Sequence, residues 1–495
     1  MGLSIDRDEF CAADFELFAQ RLQQCLRVLR QLVRSPGFGV GATTIGAELE
    51  VSIVDERGLP LPLNRRMLAD ALDPQLQLEI DRFNLEYNLN PLEIAGRSFT
   101  RLHRQLDDAV AAMDRAARKH AGRLAVIGIL PTLRKKDLSP EALTNLPRYR
   151  ALAAGVRRLR QAPFQINIRG EDHLVTTSES VTLEGGATSF QIHLRIAPEQ
   201  FADTFNAAQL VTPLAVAIGA NSPLFLGHRL WDETRIALFK QAVDSRAPGA
   251  VEWRRAARVP FGHGWAREGA YELFAESVSL FPPLLPASSE EDPEAVFANG
   301  GMPALTELRL HQSTTWQWNR PVFDPAYGGH LRLEMRALPA GPTAVDMTAN
   351  AAFLLGMTLG MRDRMNGLMP AMPFQYAEYN FYRAAQHGLD AQLLWPTEQP
   401  VSPRERSVRD LIDEMLPVAA DGLSACGVDP ADIGTYLAPI DERLRAATNG
   451  ARWQRRMLAD LRERHPGDEA LRLMLARYLQ QSSTGKAVHS WDLHH

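Results

Sequence analysis

Four short stretches of this chain alternate strictly between apolar and polar residues, and their polar positions hold Glu, Asn, Gln, His and Arg. Ile45-Gly-Ala-Glu-Leu-Glu-Val-Ser-Ile53 sets Ile45, Ala47, Leu49, Val51 and Ile53 against Glu48 and Glu50. Phe83-Asn-Leu-Glu-Tyr-Asn-Leu89 does the same with Asn84, Glu86 and Asn88. Phe190-Gln-Ile-His-Leu-Arg-Ile196 offers Gln191, His193 and Arg195, and Leu331-Arg-Leu-Glu-Met-Arg-Ala337 offers Arg332, Glu334 and Arg336. A β-strand sends successive side chains to opposite faces. Each stretch therefore predicts a strand with one buried face and one face of carboxylate, imidazole or guanidinium. Strands are normally poor in Glu and Asn, so four such faces point to a single shared site.

The chain has 495 residues, enough for a large core and more than one ordinary domain. A net charge of -5 argues against a nucleic-acid binder, which would carry a basic stripe. Cys11, Cys25 and Cys426 are scattered and form neither a disulfide framework nor a Cys-x-x-Cys zinc motif. The polar N-terminus is unlike a secretory signal, and no apolar run reads as a bilayer span. These readings predict a cytoplasmic protein.

Helical periodicity is expected over Asp14–Arg34, Phe99–Lys119, Arg148–Gln161, Phe201–Ala220 (kinked at Pro213), Asp346–Arg362, Glu405–Leu423 and a series from Pro430 to Leu479. Leu124–Leu130 is a continuous apolar run and reads as a buried strand. Pro282–Pro293 reads as an exposed loop. Gly37-Phe-Gly-Val-Gly-Ala42 loosely fits a dinucleotide fingerprint but follows a helix and precedes a strand, the reverse of the required order. The whole predicts an α+β fold: a curved, mostly antiparallel sheet with helices on one face and the active site on the other. An N-terminal helical segment (1–44), a catalytic domain (45–399) and a C-terminal helical region (400–495) are expected, with Pro400–Pro403 as linker.

A single Glu on a strand is usually solvated or salt-bridged, and a single His is more often structural than catalytic. Two carboxylates on one strand face, Glu48 and Glu50, need a stronger reason. With Glu86, Glu334 and His193 they supply more ligands than one Mg²⁺ usually takes from protein, which predicts two or three ions. Arg195, Arg332 and Arg336 suit phosphate or carboxylate recognition. Metals with arginines suggest phosphoryl transfer.

The chain resembles the glutamate–cysteine ligase family, in its plant-type and bacterial carboxylate–amine ligase branch, within the glutamine synthetase-like superfamily. The resemblance runs in order through Gly46-Ala-Glu-Leu-Glu50, Leu85-Glu86 with Asn88, Gly128-Ile-Leu-Pro131 and Pro147-Arg-Tyr149. It continues through Thr188-Ser-Phe-Gln-Ile-His193, Ala220-Asn-Ser-Pro223 with Gly227, Arg235 and Arg246, His311-Gln-Ser-Thr314 with Arg320, and Leu333-Glu-Met-Arg336. Many relatives carry an acidic residue soon after the last motif; here the first candidate is Asp346.

The resemblance implies a ligase that uses ATP and Mg²⁺, activates a carboxylate as an acyl phosphate and passes it to an amine. It implies Glu48, Glu50, Glu86, His193 and Glu334 as metal ligands, and Arg320 and Arg336 as catalytic contacts to phosphate. Arg235, Arg246, Gln191 and Asn221 would contact substrate. The expected partners are a small amino acid or other carboxylate and an amine, with no nucleic acid and no membrane; assembly as a homo-oligomer is left open. A phosphotransferase of the same fold and a non-catalytic nucleotide or metabolite sensor are the alternative readings.

Overall fold

The computed structural model describes residues 3–249, 255–396 and 403–493. Six strands form the central sheet: β1 (Thr44–Val54), β2 (Leu76–Leu78), β3 (Asn84–Asn88), β4 (Phe190–Ile196), β5 (Asn319–Asp324) and β6 (His330–Met335). Their order is β5-β6-β4-β1-β3-β2, every neighbouring pair is antiparallel, and the sheet curls into a half-barrel. Leu92–Glu93 pairs with one end of β1 and Arg123–Ala125 with the other. The alternating segments thus supply β1, β3, β4 and β6, the consecutive centre of the sheet apart from its edges.

The helices that position the sheet are α1 (Ala12–Leu32), α2 (Ser98–Arg118), α3 (Pro147–Arg160), α4 (Phe201–Gly219), α5 (Ala344–Met361), α6 (Val408–Ala425), α7 (Pro430–Arg445), α8 (Gly450–Arg462) and α9 (Gly467–Ser482). Leu49 and Val51 of β1, Ile192 and Leu194 of β4 and Leu333 and Met335 of β6 share one core with Leu214 of α4 and Phe353 of α5. This apolar side of the sheet is the helix-covered one, as the alternation requires.

Several expectations change. The run Leu124–Leu130 leaves the ladder after Ala125. Its buried carbonyls are satisfied elsewhere: Val126 accepts from the Tyr478 hydroxyl at 2.9 Å, and Gly128 from the Thr188 backbone N–H at 2.9 Å. Helix α4 carries Pro213 in its interior, within the expected helical span. Residues 282–292 have no regular structure and Pro293 opens a short helix, yet the stretch buries Leu284, Leu285 and Pro286. Two helical stretches, Pro198–Gly219 and Ala344–Ala371, are long and apolar enough to cross a membrane by length and composition. Their apolar windows are 89% buried, since both run through the core and need no polar face. Of the expected linker, Pro400, Val401 and Ser402 lie outside the described residues. The helices beyond it share cores with the rest: Ile412 and Ile440 join the main core, while Met474 and Tyr478 pack with Ile127 and Phe225. Cys11, Cys25 and Cys426 are free thiols.

Candidate active site

Strand register brings the polar residues together. Across the sheet Glu50 faces Glu86, Glu48 faces Asn88 on one side and Gln191 on the other, His193 faces Glu334, and Glu334 faces Arg320. These side chains project from the face away from the helices. They are deeply set: Glu48 is 6% exposed, Glu86 8%, His193 5% and Glu334 1%.

Two clusters result. In the first, His193 Nε2 lies 3.1 Å from Glu48 Oε1 and 3.8 Å from Glu334 Oε1. Both ring nitrogens are buried without a well-aligned hydrogen bond. A buried imidazole between two carboxylates, with an orphaned nitrogen, is a donor set that suits a divalent cation. In the second, ligand atoms of Glu50, Glu79 and Glu86 lie within 4.8 Å of one another, as do those of the first. Three carboxylates this close repel unless a proton or a cation sits among them. Burial and the nearby Glu48 charge push Glu86 up to about 7. Burial and Glu86 push Glu79 well above the usual carboxylate range.

Arg320 on β5 and Arg336, the residue after β6, set the opposite tone. Arg320 grips both oxygens of Glu334, with Nη2 at 3.0 Å from Oε1, and Arg336 Nη1 lies 3.2 Å from Oε2. Burial opposes ionisation of Glu334, but Arg320 and Arg336 overcome it and hold the carboxyl well below its ordinary range. Arg336 also donates to Gln191 Oε1, whose amide in turn donates to Glu50 Oε1 at 3.0 Å. The two clusters are therefore linked through Arg336 and Gln191.

Both clusters open into a cavity of about 440 Å³. Glu48, Glu50, Glu79, Glu86, Glu334, Arg320 and Arg336 form its charged side, while Leu78, Leu152, Val156 and Trp316 belong to its apolar side. Of the expected substrate contacts, Gln191 reaches the wall. The other three do not line it. Asn221 is fully buried and spends its amide on Ala340, Tyr478 and Gln454. Arg235 is 3% exposed and bonded to Glu233 and three main-chain carbonyls. Arg246 forks onto Asp244 at 2.9 and 3.0 Å. Two strand arginines also go elsewhere: Arg195 donates to the Val40 carbonyl at 2.7 Å, and Arg332 pairs with Asp324 at 3.3 Å. Asp346 is a core residue, paired with Arg443 at 3.0 Å.

Sequence reasoning missed Glu79, Glu184 and Arg148. The signal for Glu79 was present, since Leu76-Gln-Leu-Glu-Ile80 also alternates; only the shortness of β2 concealed it. Glu184 sits on a 3₁₀ turn, Val181–Gly186, with no period to read. Burial and the Glu50 charge push it up to about 8. Arg148, in the first turn of α3, reaches the cavity and donates to Ser313 Oγ at 3.0 Å. It lay inside the Pro147-Arg-Tyr149 motif without an assigned role.

The chain that carries these clusters on its antiparallel half-barrel is a carboxylate–amine ligase by family. The sequence profile of glutamate–cysteine ligase family 2 (GCS2) matches residues 44–477, and the chain belongs to that family. The match extends through most of the C-terminal helices. Among solved structures, glutamate–cysteine ligase (gshA) from Francisella tularensis in complex with AMP aligns with a TM-score of 0.54 at 11% identity, covering 92% of this chain and 91% of that one. That likeness supports the fold. A bifunctional glutathione synthetase from Pasteurella multocida aligns with a TM-score of 0.46 at 10% identity, over 92% of this chain and 54% of its own. The ligase PafA in complex with the ubiquitin-like protein Pup aligns with a TM-score of 0.39 at 8% identity, over 88% and 72%. No curated protein sequence matches the chain.

Proposed function

We propose that the protein joins a carboxylate to an amine at the expense of ATP, with Mg²⁺, as a glutamate–cysteine ligase or a close variant of one. The observation that carries this reading is the pair of adjoining donor clusters, Glu48–His193–Glu334 and Glu50–Glu79–Glu86, opening into one cavity beside Arg320 and Arg336. The donors are oxygens plus one imidazole, a set Mg²⁺ accepts when substrate phosphates complete its shell. Ions held there would neutralise charge on a phosphoryl group in transfer. Two clusters support two ions.

The arginines and the shape of the cavity support the rest. Arg320 and Arg336 would stabilise the charge of the moving phosphoryl group with fixed donors that need no rearrangement. A substrate carboxylate oxygen attacks the γ-phosphorus, ADP leaves, and an acyl phosphate forms. The amine nitrogen then attacks the carbonyl carbon, phosphate leaves, and the nitrogen gives up a proton. The recessed cavity would keep water from the acyl phosphate meanwhile.

The test is release of ADP and phosphate with Mg²⁺ across paired amino acids and amines, glutamate with cysteine first, with mass spectrometry of the product. An amide with free phosphate is expected. A stable phosphorylated product without amide would replace the ligase by a phosphotransferase, and nucleotide binding without turnover would replace it by a sensor.

A further inference from the structure

Strand β6 ends at Met335, and the regular ladder is interrupted through Arg336-Ala-Leu338 before an isolated bridge joins Pro339 to Ser189. Carbonyls exposed by such an interruption in a buried setting need new donors. Arg235 donates to all three, and the Leu338 carbonyl also accepts the Phe190 backbone N–H at 3.0 Å. Arg235 Nη2 donates to the Arg336 carbonyl at 3.1 Å and the Leu338 carbonyl at 3.1 Å, and Nη1 donates to the Ala337 carbonyl at 3.2 Å. A guanidinium is the only side chain with enough rigidly arranged N–H groups to hold three successive carbonyls.

Arg235 is itself held. Nη1 lies 3.3 Å from Glu233 Oε1, and Glu233 is fully buried. The Glu233 carboxylate also accepts from Ser222 Oγ at 2.8 Å and from the Asn221 backbone N–H at 2.9 Å. On its other side the guanidinium lies 5.9 Å from the centre of the Trp318 ring. The Trp318 carbonyl accepts the Arg336 backbone N–H at 2.8 Å. The main chain of Arg336 is thus clamped from both its N–H and its carbonyl.

We propose that Glu233 and Arg235 form a positioning pair that fixes the main chain beneath Arg336, and through it the contact of Arg336 with Glu334 and Gln191. Arg235 is a positioning residue here and does not bind the carboxylate substrate. The pair deepens the ligase reading, on which the role of Arg336 rests. Side chains that stabilise a transition state lose much of their effect when displaced by a fraction of an ångström. With both Nη groups given to three main-chain carbonyls and Glu233, Arg235 has no fork of Nη groups to offer a substrate anion.

The test compares Arg235→Lys, Arg235→Gln, Arg336→Ala and the double variant Arg235→Gln/Arg336→Ala. Melting temperatures establish that each is folded, and Arg235→Lys serves where the Gln variant is not. Steady-state kinetics and calorimetric binding of Mg²⁺ with ADP are measured for each. The expected result is a kcat lowered about tenfold or more for the Arg235 variants, with KM for the carboxylate substrate changed less than about threefold. The double variant should be little worse than Arg336→Ala alone, because both changes act through one group. A KM for the carboxylate raised about tenfold with kcat intact would overturn the proposal, and so would additive losses. If no substrate pair yields amide, the ligase reading fails separately; the same non-additivity is then read in Mg²⁺–ADP binding, where additive losses would overturn the positioning pair.

Discussion

At Glu334 and Glu86 the same residue type stands in opposite surroundings. Glu334 is wrapped by Arg320 and Arg336, whereas Glu86 faces Glu48, Glu50 and Glu79. Removing the charge should therefore have opposite effects on the metal-free protein. Glu334→Gln leaves two arginines without their buried partner and should cost about 3–5 kcal/mol of stability, together with a fall in turnover of about 10²-fold or more. Glu86→Gln relieves repulsion and should raise the melting temperature of metal-free protein at pH 8 while weakening Mg²⁺ binding. Thermal denaturation with and without Mg²⁺, beside calorimetric titration, checks both. If Glu86→Gln lowers the metal-free melting temperature and leaves Mg²⁺ affinity unchanged, Glu86 is a structural carboxylate. The candidate ligands on long alternating strands were legible because period 2 assigns a face without any partner in view. Glu184 was not, because a 3₁₀ turn carries no such period.

At the level of elements, α5 packs beneath the sheet and α6 packs against α5. They meet through glycines: a Cβ on Gly422 of α6 would lie 2.3 Å from the Gly356 carbonyl of α5, and one on Gly356 would lie 2.5 Å from the Ala419 carbonyl. Backbone on both sides leaves nothing flexible to yield. Gly422→Val should destabilise the protein by roughly 1–3 kcal/mol through overpacking, read as a lowered denaturation midpoint, while the exposed Gly434→Ala on α7 should be neutral or stabilising. An equal response at both positions would contradict the close crossing. The existence of α5 and α6 was visible in their periodicity. Their contact was not, since a glycine in a helical pattern reads as a weak helix former until the neighbouring backbone is known.

At the scale of the whole molecule, buried acids and the C-terminal helices set the predictions. Glu86 is raised to about 7 and Glu184 to about 8 by burial and neighbouring carboxylates, from an ordinary value of 4.5. The folded chain therefore binds these protons more tightly than the unfolded chain does. Their contribution to stability is full below about pH 4.5 and is lost as pH rises through about 7 and 8. Metal-free protein should melt at lower temperature at pH 8.5 than at pH 6, on the order of several degrees, with the loss reversed by Mg²⁺, whose affinity rises over the same window. A flat profile would mean that the acids are already compensated. Tyr478 of α9 ties the C-terminal helices to the rest of the fold: its hydroxyl donates to the Val126 carbonyl and accepts from the Asn221 amide at 2.8 Å. Tyr478→Phe should cost about 1–3 kcal/mol by leaving those buried groups short of a partner, and a single unfolding transition should persist, because the helices share the cores of the sheet domain.

By itself the sequence determined the four central strands β1, β3, β4 and β6, which face of each is polar, and that carboxylates, an imidazole and arginines lie on those faces. Alternation is a local property, and each strand carries its own record of which side is buried. Only the tertiary structure decided which acids meet. The register of β1 against β3 and of β4 against β6 sorts them into two clusters, and Glu79, the residue after the short edge strand β2, joins one of them. It also decided that Arg235 serves the main chain of Arg336 and does not reach the cavity wall. Hydrogen bonds to carbonyls a hundred residues away depend on where the chain leaves the sheet, and no local pattern records that.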